Sequence, residues 1–468
     1  MISVSQEYKN TLATGRRDFN VVLYIILTDY TQIGPLTNAD LRSFTIDDAV
    51  SDDNKFTMLG STIINQCTIG IDNIKQDYTQ LNFENAYVIV YLDYVLLNGQ
   101  TERIKKGSFF VDTATYTGGI IELTCLDFMA YFDLDYSYSK VVYPATINTI
   151  IEDACDVCGV PLAENITIPH GDFEITKKPD AEEITFRDVL SWIGEIIGCY
   201  AKCDVDGNLT FGWCNRDSLD AAYGSLDGGE FDNNLPKYTS GDKADGGSFK
   251  PWNIGYVFSS ATFAVQSEVH NFYYNFTQSI ATIDTVITGV EIVIIVDKNS
   301  TDDTVPEISD EELENGADIV ITDEESEDSE DKVTKSFFVG QEGYILIIEN
   351  NGFISEDTAP RIIQWLSEQL IGTRFRRATT YHLSDPTIEA GDVGILWDKN
   401  EESYPIIVTR TNFKVSGQQQ SVCGSESAKQ NKFTTAATIW RRHGDLIEEE
   451  EIEETWVRKE AKTNGDSE

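Results

Sequence analysis

Ala86-Tyr87-Val88-Ile89-Val90-Tyr91-Leu92-Asp93-Tyr94-Val95-Leu96 is a run of β-branched, aromatic and aliphatic residues interrupted only by Asp93, with Asn98-Gly99 just beyond it. Such a run favours a strand, and Asn-Gly supplies the positive φ angles of a tight hairpin. Working outward, similar runs occur at Val21–Leu27, Ile63–Ile71 and Ile120–Cys125, the last entered through Gly118-Gly119. Several short strands at this spacing predict a sandwich or barrel over residues 1–135. The one helical stretch within it is Asp127–Phe132.

The pattern changes after Asp135. Pro144 and Thr146 open a helix whose stripe is Ile147, Ile150, Ile151, Ala154 and Cys158, and Gly159 and Pro161 end it. Thr185 caps a second helix carrying Phe186, Val189, Leu190, Ile193 and Ile197 before Gly198. Cys199–Cys203 and Asn208–Gly212 then form a hairpin around Asp206-Gly207. Residues 136–250 therefore read as a small α+β domain with a Gly/Asp-rich end, where Asp227-Gly228-Gly229-Glu230-Phe231 recurs as Asp245-Gly246-Gly247-Ser248-Phe249. Two like turns, each followed by a docked Phe, account for that repeat, with a carboxylate-lined ion site as the alternative.

Strands return over 251–433, at Val286–Val296, Phe337–Glu349, Ala378–Leu383, Val393–Trp397, Ile406–Thr411 and Asn412–Val415. A helix interrupts them, capped by Thr358 with Pro360 in its first turn and Ile362, Ile363, Leu366 and Leu370 as its stripe. The fold class is β-rich α+β: two β domains flanking a small α+β domain.

Charge narrows the function. The 468 residues carry 35 basic and 79 acidic side chains, a net −44. That balance argues against phosphate neutralisation and against a polybasic membrane surface, so neither stable nucleic-acid binding nor membrane insertion is expected. Val21–Leu27 is far short of a span of about 20 residues, and residues 1–10 lack a signal pattern. The expectation is a soluble protein made in the cytoplasm. Half of the charge lies in residues 297–331 and 445–468. The first segment reads as a disordered or extended surface insertion that the fold can lose, and residues 434–468 read as a solvated acidic tail.

Candidate chemistry is sparse. Cys155 and Cys158 with Cys199, Cys203 and Cys214 invite a zinc site, but helical and strand spacing places them as small buried residues instead. Asp204-Val205-Asp206-Gly207-Asn208 resembles a calcium loop only in part: Leu209 stands where the glycine is needed and Asn215 where a glutamate is needed. His170, His270, His382 and His443 share no ligand or catalytic spacing, and no nucleophile, base and stabiliser come together. No catalytic residue, metal or cofactor is expected, and the protein is read as no enzyme.

Several stretches resemble one family, the baseplate-hub and tail-tip proteins of phages and phage-tail-like particles, including the hub region of tail-associated lysins. They are Thr124-Cys125-Leu126-Asp127-Phe128-Met129-Ala130-Tyr131-Phe132, Tyr143-Pro144-Ala145-Thr146 through Cys158-Gly159-Val160, and Thr185-Phe186-Arg187-Asp188-Val189-Leu190. The clearest is His382-Leu383-Ser384-Asp385-Pro386 leading into Glu389-Ala390-Gly391-Asp392-Val393, followed by Gly424-Ser425-Glu426-Ser427. The resemblance implies a homotrimer in the tail baseplate or tip, each subunit presenting two tube-like β-barrel domains to a hexameric tail tube. Implied partners are a tail tube or distal tail protein, a tape measure protein and a central spike or tip protein. Asp385, Pro386, Glu389, Gly391 and Asp392 are then architectural residues: Asp385-Pro386 sets an extended turn and Gly391 a backbone bend. Longer relatives carry a peptidoglycan-degrading domain after the hub, whereas here an acidic tail follows Phe433. Any lysin is expected to be a separate chain; a cell-wall hydrolase or a host-surface adhesin is the alternative function.

Overall fold

The structure, a computed structural model, describes residues 2–51, 58–179, 184–213, 270–271, 277–281, 284–297, 319–325, 332–397, 403–414 and 418–423. Cys214, the Asp-Gly-Gly repeats, most of the acidic insertion, Gly424–Ser427 and the acidic tail lie outside them.

Helix α1 (Gln6–Ala13) precedes seven strands: β1 (Phe19–Ile26), β2 (Gln32–Thr37), β3 (Leu41–Ala49), β4 (Gln66–Asp72), β5 (Tyr87–Val95), β6 (Thr101–Thr117) and β7 (Ile120–Leu126). Strict alternation of half-buried and buried residues along β5 is why this run is a strand. The Asn98-Gly99 and Gly118-Gly119 turns hold φ at +81°, +58° and +83°, which hairpins of this type demand. Asp127 starts a short 3-10 turn over Phe128–Asp133, accepting the Met129 amide at 3.2 Å.

The middle region holds β8 (Ala145–Thr146), α2 (Ile147–Cys158), β9 (Glu174–Ile175), α3 (Phe186–Ile197), β10 (Tyr200–Cys203) and β11 (Leu209–Gly212). Thr146 caps α2, and a reciprocal box between Thr185 and Asp188 caps α3; Gly159 and Gly198 end the two helices in the left-handed conformation. Cys155 rather than Cys158 is the buried cysteine of α2, because Cys158 lies at the last helical residue where the stripe leaves the core.

The last region contains β12 (His270–Asn271), β13 (Thr277–Ile280), β14 (Thr285–Asp297), β15 (Val320–Glu325), β16 (Lys332–Gly340), β17 (Tyr344–Glu349), α4 (Ala359–Leu370), β18 (Arg374–Phe375), β19 (Ala378–Leu383), β20 (Val393–Trp397), β21 (Ser403–Ile407), β22 (Arg410–Lys414) and β23 (Gln418–Cys423). The single strand expected over Phe337–Glu349 is two: Gly340 and Gly343, at φ +120° and +147°, break it, and β17 returns parallel to β14. Within the stretch read as a surface insertion, β15 is an ordered edge strand on β16. Its backbone pairing supplies the order that its acidic composition does not.

The protein is β-rich α+β around one large antiparallel sheet. Its eleven strands run β13-β19-β23-β22-β3-β4-β7-β6-β5-β1-β2, and no pair closes the ends among the described residues. Where two β domains each curled into a barrel were expected, β22 pairs directly with β3, from Arg410↔Ala49 to Lys414↔Thr45. Each region carries a strand edge that would otherwise leave unpaired N–H and C=O groups, and joining them satisfies both. Two apolar clusters fill the molecule. One lies in the first region with Phe413 added from the last; the other runs through the middle and last regions and takes in Val50, Met58, Met129 and Phe132 of the first, with α4 packed on β14 and β16.

Candidate functional site

All five motif residues, Asp385, Pro386, Glu389, Gly391 and Asp392, lie on the loop between β19 and β20, where the three regions meet. The loop is built from its own polar groups. Asp385 Oδ1 accepts from the Thr387 amide (3.0 Å) and hydroxyl (2.6 Å), and Gln419 Oε1 accepts the Asp385 amide at 2.8 Å. Asp392 Oδ2 accepts the Glu389 amide at 3.0 Å. Gly391, at φ +101°, donates its amide to the Val408 carbonyl at 2.6 Å, a conformation that disfavours any side chain.

Two buried lysines grip this loop from different regions. Lys106, on β6, donates to the Pro386 carbonyl at 2.7 Å and the Ile388 carbonyl at 3.1 Å. Lys202, on β10, donates to the Ala390 carbonyl at 3.0 Å. Asp48, on β3, accepts the Ala390 amide through Oδ2 at 2.7 Å. First, middle and last regions thus converge on seven consecutive residues.

The two ammonium groups differ electrostatically. Burial dominates at Lys106 and lowers its pKa. Burial opposes the charge of Lys202 too, but Asp48, Glu389 and Asp392 together raise it above the ordinary lysine value. Burial works against the Glu389 charge, yet the cations about it, Lys202 and Lys106 among them, prevail and hold its carboxyl low. A cavity of about 40 Å³ remains beside Lys106, Lys202, Asp48 and Glu389. A more open groove of about 350 Å³ runs along β3, where Arg42 and Lys414 are exposed, and no motif residue lines it.

A second contact ties the middle region to the last. The C-terminal carbonyls of α3, which no helical amide reaches, are taken by α4: Trp365 Nε1 donates to the Ile196 carbonyl at 2.7 Å and Gln369 Nε2 to Gly198 at 2.9 Å. Asn351 Nδ2 donates to the Trp192 carbonyl and to Glu195 Oε2, at 2.9 and 2.8 Å.

Sequence reasoning missed Asp48, Lys106 and Lys202. A signal existed for the last: Lys202 is a lone charge among Cys199, Tyr200, Ala201 and Cys203, in a strand buried on both faces. His382 is buried, its Nε2 3.0 Å from the Ser421 hydroxyl, and it packs within the sheet rather than with a nucleophile. Cys423 is buried as well, and burial pushes its thiol up to about 12. Among the described residues no three His, Cys, Asp or Glu side chains are grouped to hold a metal ion, and no helix is long and apolar enough to cross a membrane.

No family model and no curated protein matches the sequence. Among solved structures, the chain is similar to the 43 kDa tail protein of prophage MuSo2 from Shewanella oneidensis, at 11% identity and TM-score 0.41 over 86% of this chain and 97% of that one. It is also similar to prophage tail protein gp18 from Listeria monocytogenes EGD-e, at 8% identity and TM-score 0.43 over 90% and 99% of the two chains. A tail protein from Neisseria meningitidis MC58 is similar at 9% identity and TM-score 0.39, over 86% of this chain and 95% of that one.

Proposed function

We propose that this chain is a structural subunit of a phage tail or tail-like particle, a baseplate hub or tail-tip protein joining the tail tube to a central spike or tip. The observation that carries the reading is how the motif is used. Its carbonyls accept from Lys106 and Lys202, and its Ala390 amide donates to Asp48, at the point where three regions meet. The cavity beside it, about 40 Å³, is far too small for a substrate and suits a joint. Such a joint fixes the orientation of one β region against the other, as a subunit offering both to a symmetric tube requires.

In this reading residues 1–135 and 251–433 are the two tube-like β domains, 136–250 the α+β domain between them, and 434–468 a solvated tail. Asp385, Pro386, Glu389, Gly391 and Asp392 are architectural. The subunit acts as a homotrimer without enzymatic activity, meeting a tail tube or distal tail protein, a tape measure protein and a spike. Three copies at −44 each repel one another, so assembly tightens as salt screens charges beyond about 10 Å. Light scattering coupled to size exclusion, with and without a tail-tube protein, tests this. A trimer is expected at near-physiological salt once the tube partner is present; a strict monomer with that partner, or tight salt-sensitive DNA binding, refutes the hub. A clearing band on peptidoglycan zymograms at the mass of this chain favours a hydrolase instead.

A further inference from the structure

Asp127 is 5% exposed and stands against the junction cavity together with Asp48, Asn65, Lys106, Lys202 and Glu389. Its Oδ1 accepts the Met129 amide, and its own amide donates to the Asn65 carbonyl at 2.9 Å. Its Oδ2 is buried and meets no donor. Asp48, Glu389 and Asp392 act on the two ammonium groups nearby, Lys106 and Lys202, both committed to loop carbonyls. An ionised Asp127 in this small enclosure would be a further buried charge to which neither ammonium group donates. Neutralisation by a proton costs less.

We propose that the junction is a proton-operated latch, closed while Asp127 is a neutral acid and loosened when Asp127 ionises. The groups that face Asp127 come from every element around it. Asp48 of β3 opposes its charge, Asn65 and the Met129 amide favour it, and Lys106 of β6, Lys202 and Cys203 of β10, Asp204 and Glu389 complete the surround. Burial is the largest influence, the polar groups of Asn65 and Met129 offset part of it, and the carboxyl is pushed up to about 7.

The sign follows from linkage. An unfolded aspartate releases its proton near pH 3.9, about three units earlier than the folded one. Between those values the folded chain holds more protons, so stability falls as pH rises through the window and levels off above it. Ionised Asp127 then repels Asp48 and Glu389 and competes with the loop carbonyls for Lys106 and Lys202.

Thermal unfolding of the full chain, Asp127→Asn and Glu195→Gln from about pH 5.5 to 8.5, with amide exchange of residues 388–391 corrected for intrinsic rate, tests the latch. In the parent chain the melting temperature is expected to drop by several degrees with rising pH, and loop exchange to quicken several-fold. Asp127→Asn should lose the loop response while Glu195→Gln keeps it. The same loop response in Asp127→Asn as in the parent, or loop protection independent of pH in the parent, overturns the proposal. Should Asp127→Asn not fold, infrared spectroscopy of the parent with isotope-labelled aspartate decides. A neutral carboxyl band that disappears near pH 7 supports the latch; no such band above about pH 5 overturns it.

Discussion

The first and last β regions use similar strands in opposite ways. In the first, α1 and β1 to β7 place residues into a cluster made almost wholly of side chains from this region, with Phe413 as its one distant member among the described residues. In the last, β14 and β16 cover α4, and α4 in turn binds the end of α3, so core residues from Val50 to Cys423 form one cluster. A region whose apolar face is filled by neighbours in sequence has a core of its own. One whose face is filled by a distant helix shares its stability with that helix's region. The junction loop is where the two arrangements are bolted together.

The strongest way to break this contrast is Lys202→Met. It removes a buried cation that interacts with Asp48, Glu389 and Asp392, and denaturant unfolding should show a loss of about 3–5 kcal/mol. Next come paired cavities. Leu92→Ala and Leu366→Ala should each cost about 2–4 kcal/mol. Hydrogen exchange should rise only in β1 and β4 to β7 for the former, and in α3 and α4 together for the latter. Equal, global effects of both would show a single cooperative unit instead. Lys106→Met should cost less than Lys202→Met, about 1–3 kcal/mol, because burial already disfavours its charge and its main service is to two carbonyls.

A pH titration sharpens the comparison further. Burial raises Glu195 to about 7 despite the Asn351 hydrogen bond, so the folded chain retains a proton that an unfolded glutamate releases near pH 4.3. Its contribution falls as pH rises between those values, and Glu195→Gln should recover on the order of 1–2 kcal/mol at pH 8, read from urea unfolding. The smallest effect belongs to Thr185→Ala, which removes the α3 capping box and should cost about 1 kcal/mol.

What was legible in the sequence was local. Alternation set β5, helical stripes set α2, α3 and α4, and Gly159 and Gly198 marked helix ends to the residue. Thr358 shows the limit of such signals, since it occupies the cap position of α4 without making a side-chain cap bond to the helix. The motif residues stood out as a group, but their partners did not. Lys106 lies 280 residues from Pro386, and nothing near Lys106 marks that carbonyl as its acceptor.

By itself, then, the sequence determined the β5 run, the stripes and ends of α2 and α3, the stripe of α4, the hairpin turns and the acidic balance, because each depends on side chains within a few positions of one another, while α1, β2, β3 and β6 carried no such signal. The tertiary structure alone decided that β3 and β22 merge two regions into one sheet, and that β17 runs parallel to β14. It also decided that a loop from the last region is held by lysines of the first two. The reason is that strand pairing and buried charge are satisfied by whichever groups the folded chain brings within about 3 Å, and sequence separation places no bound on which groups those are.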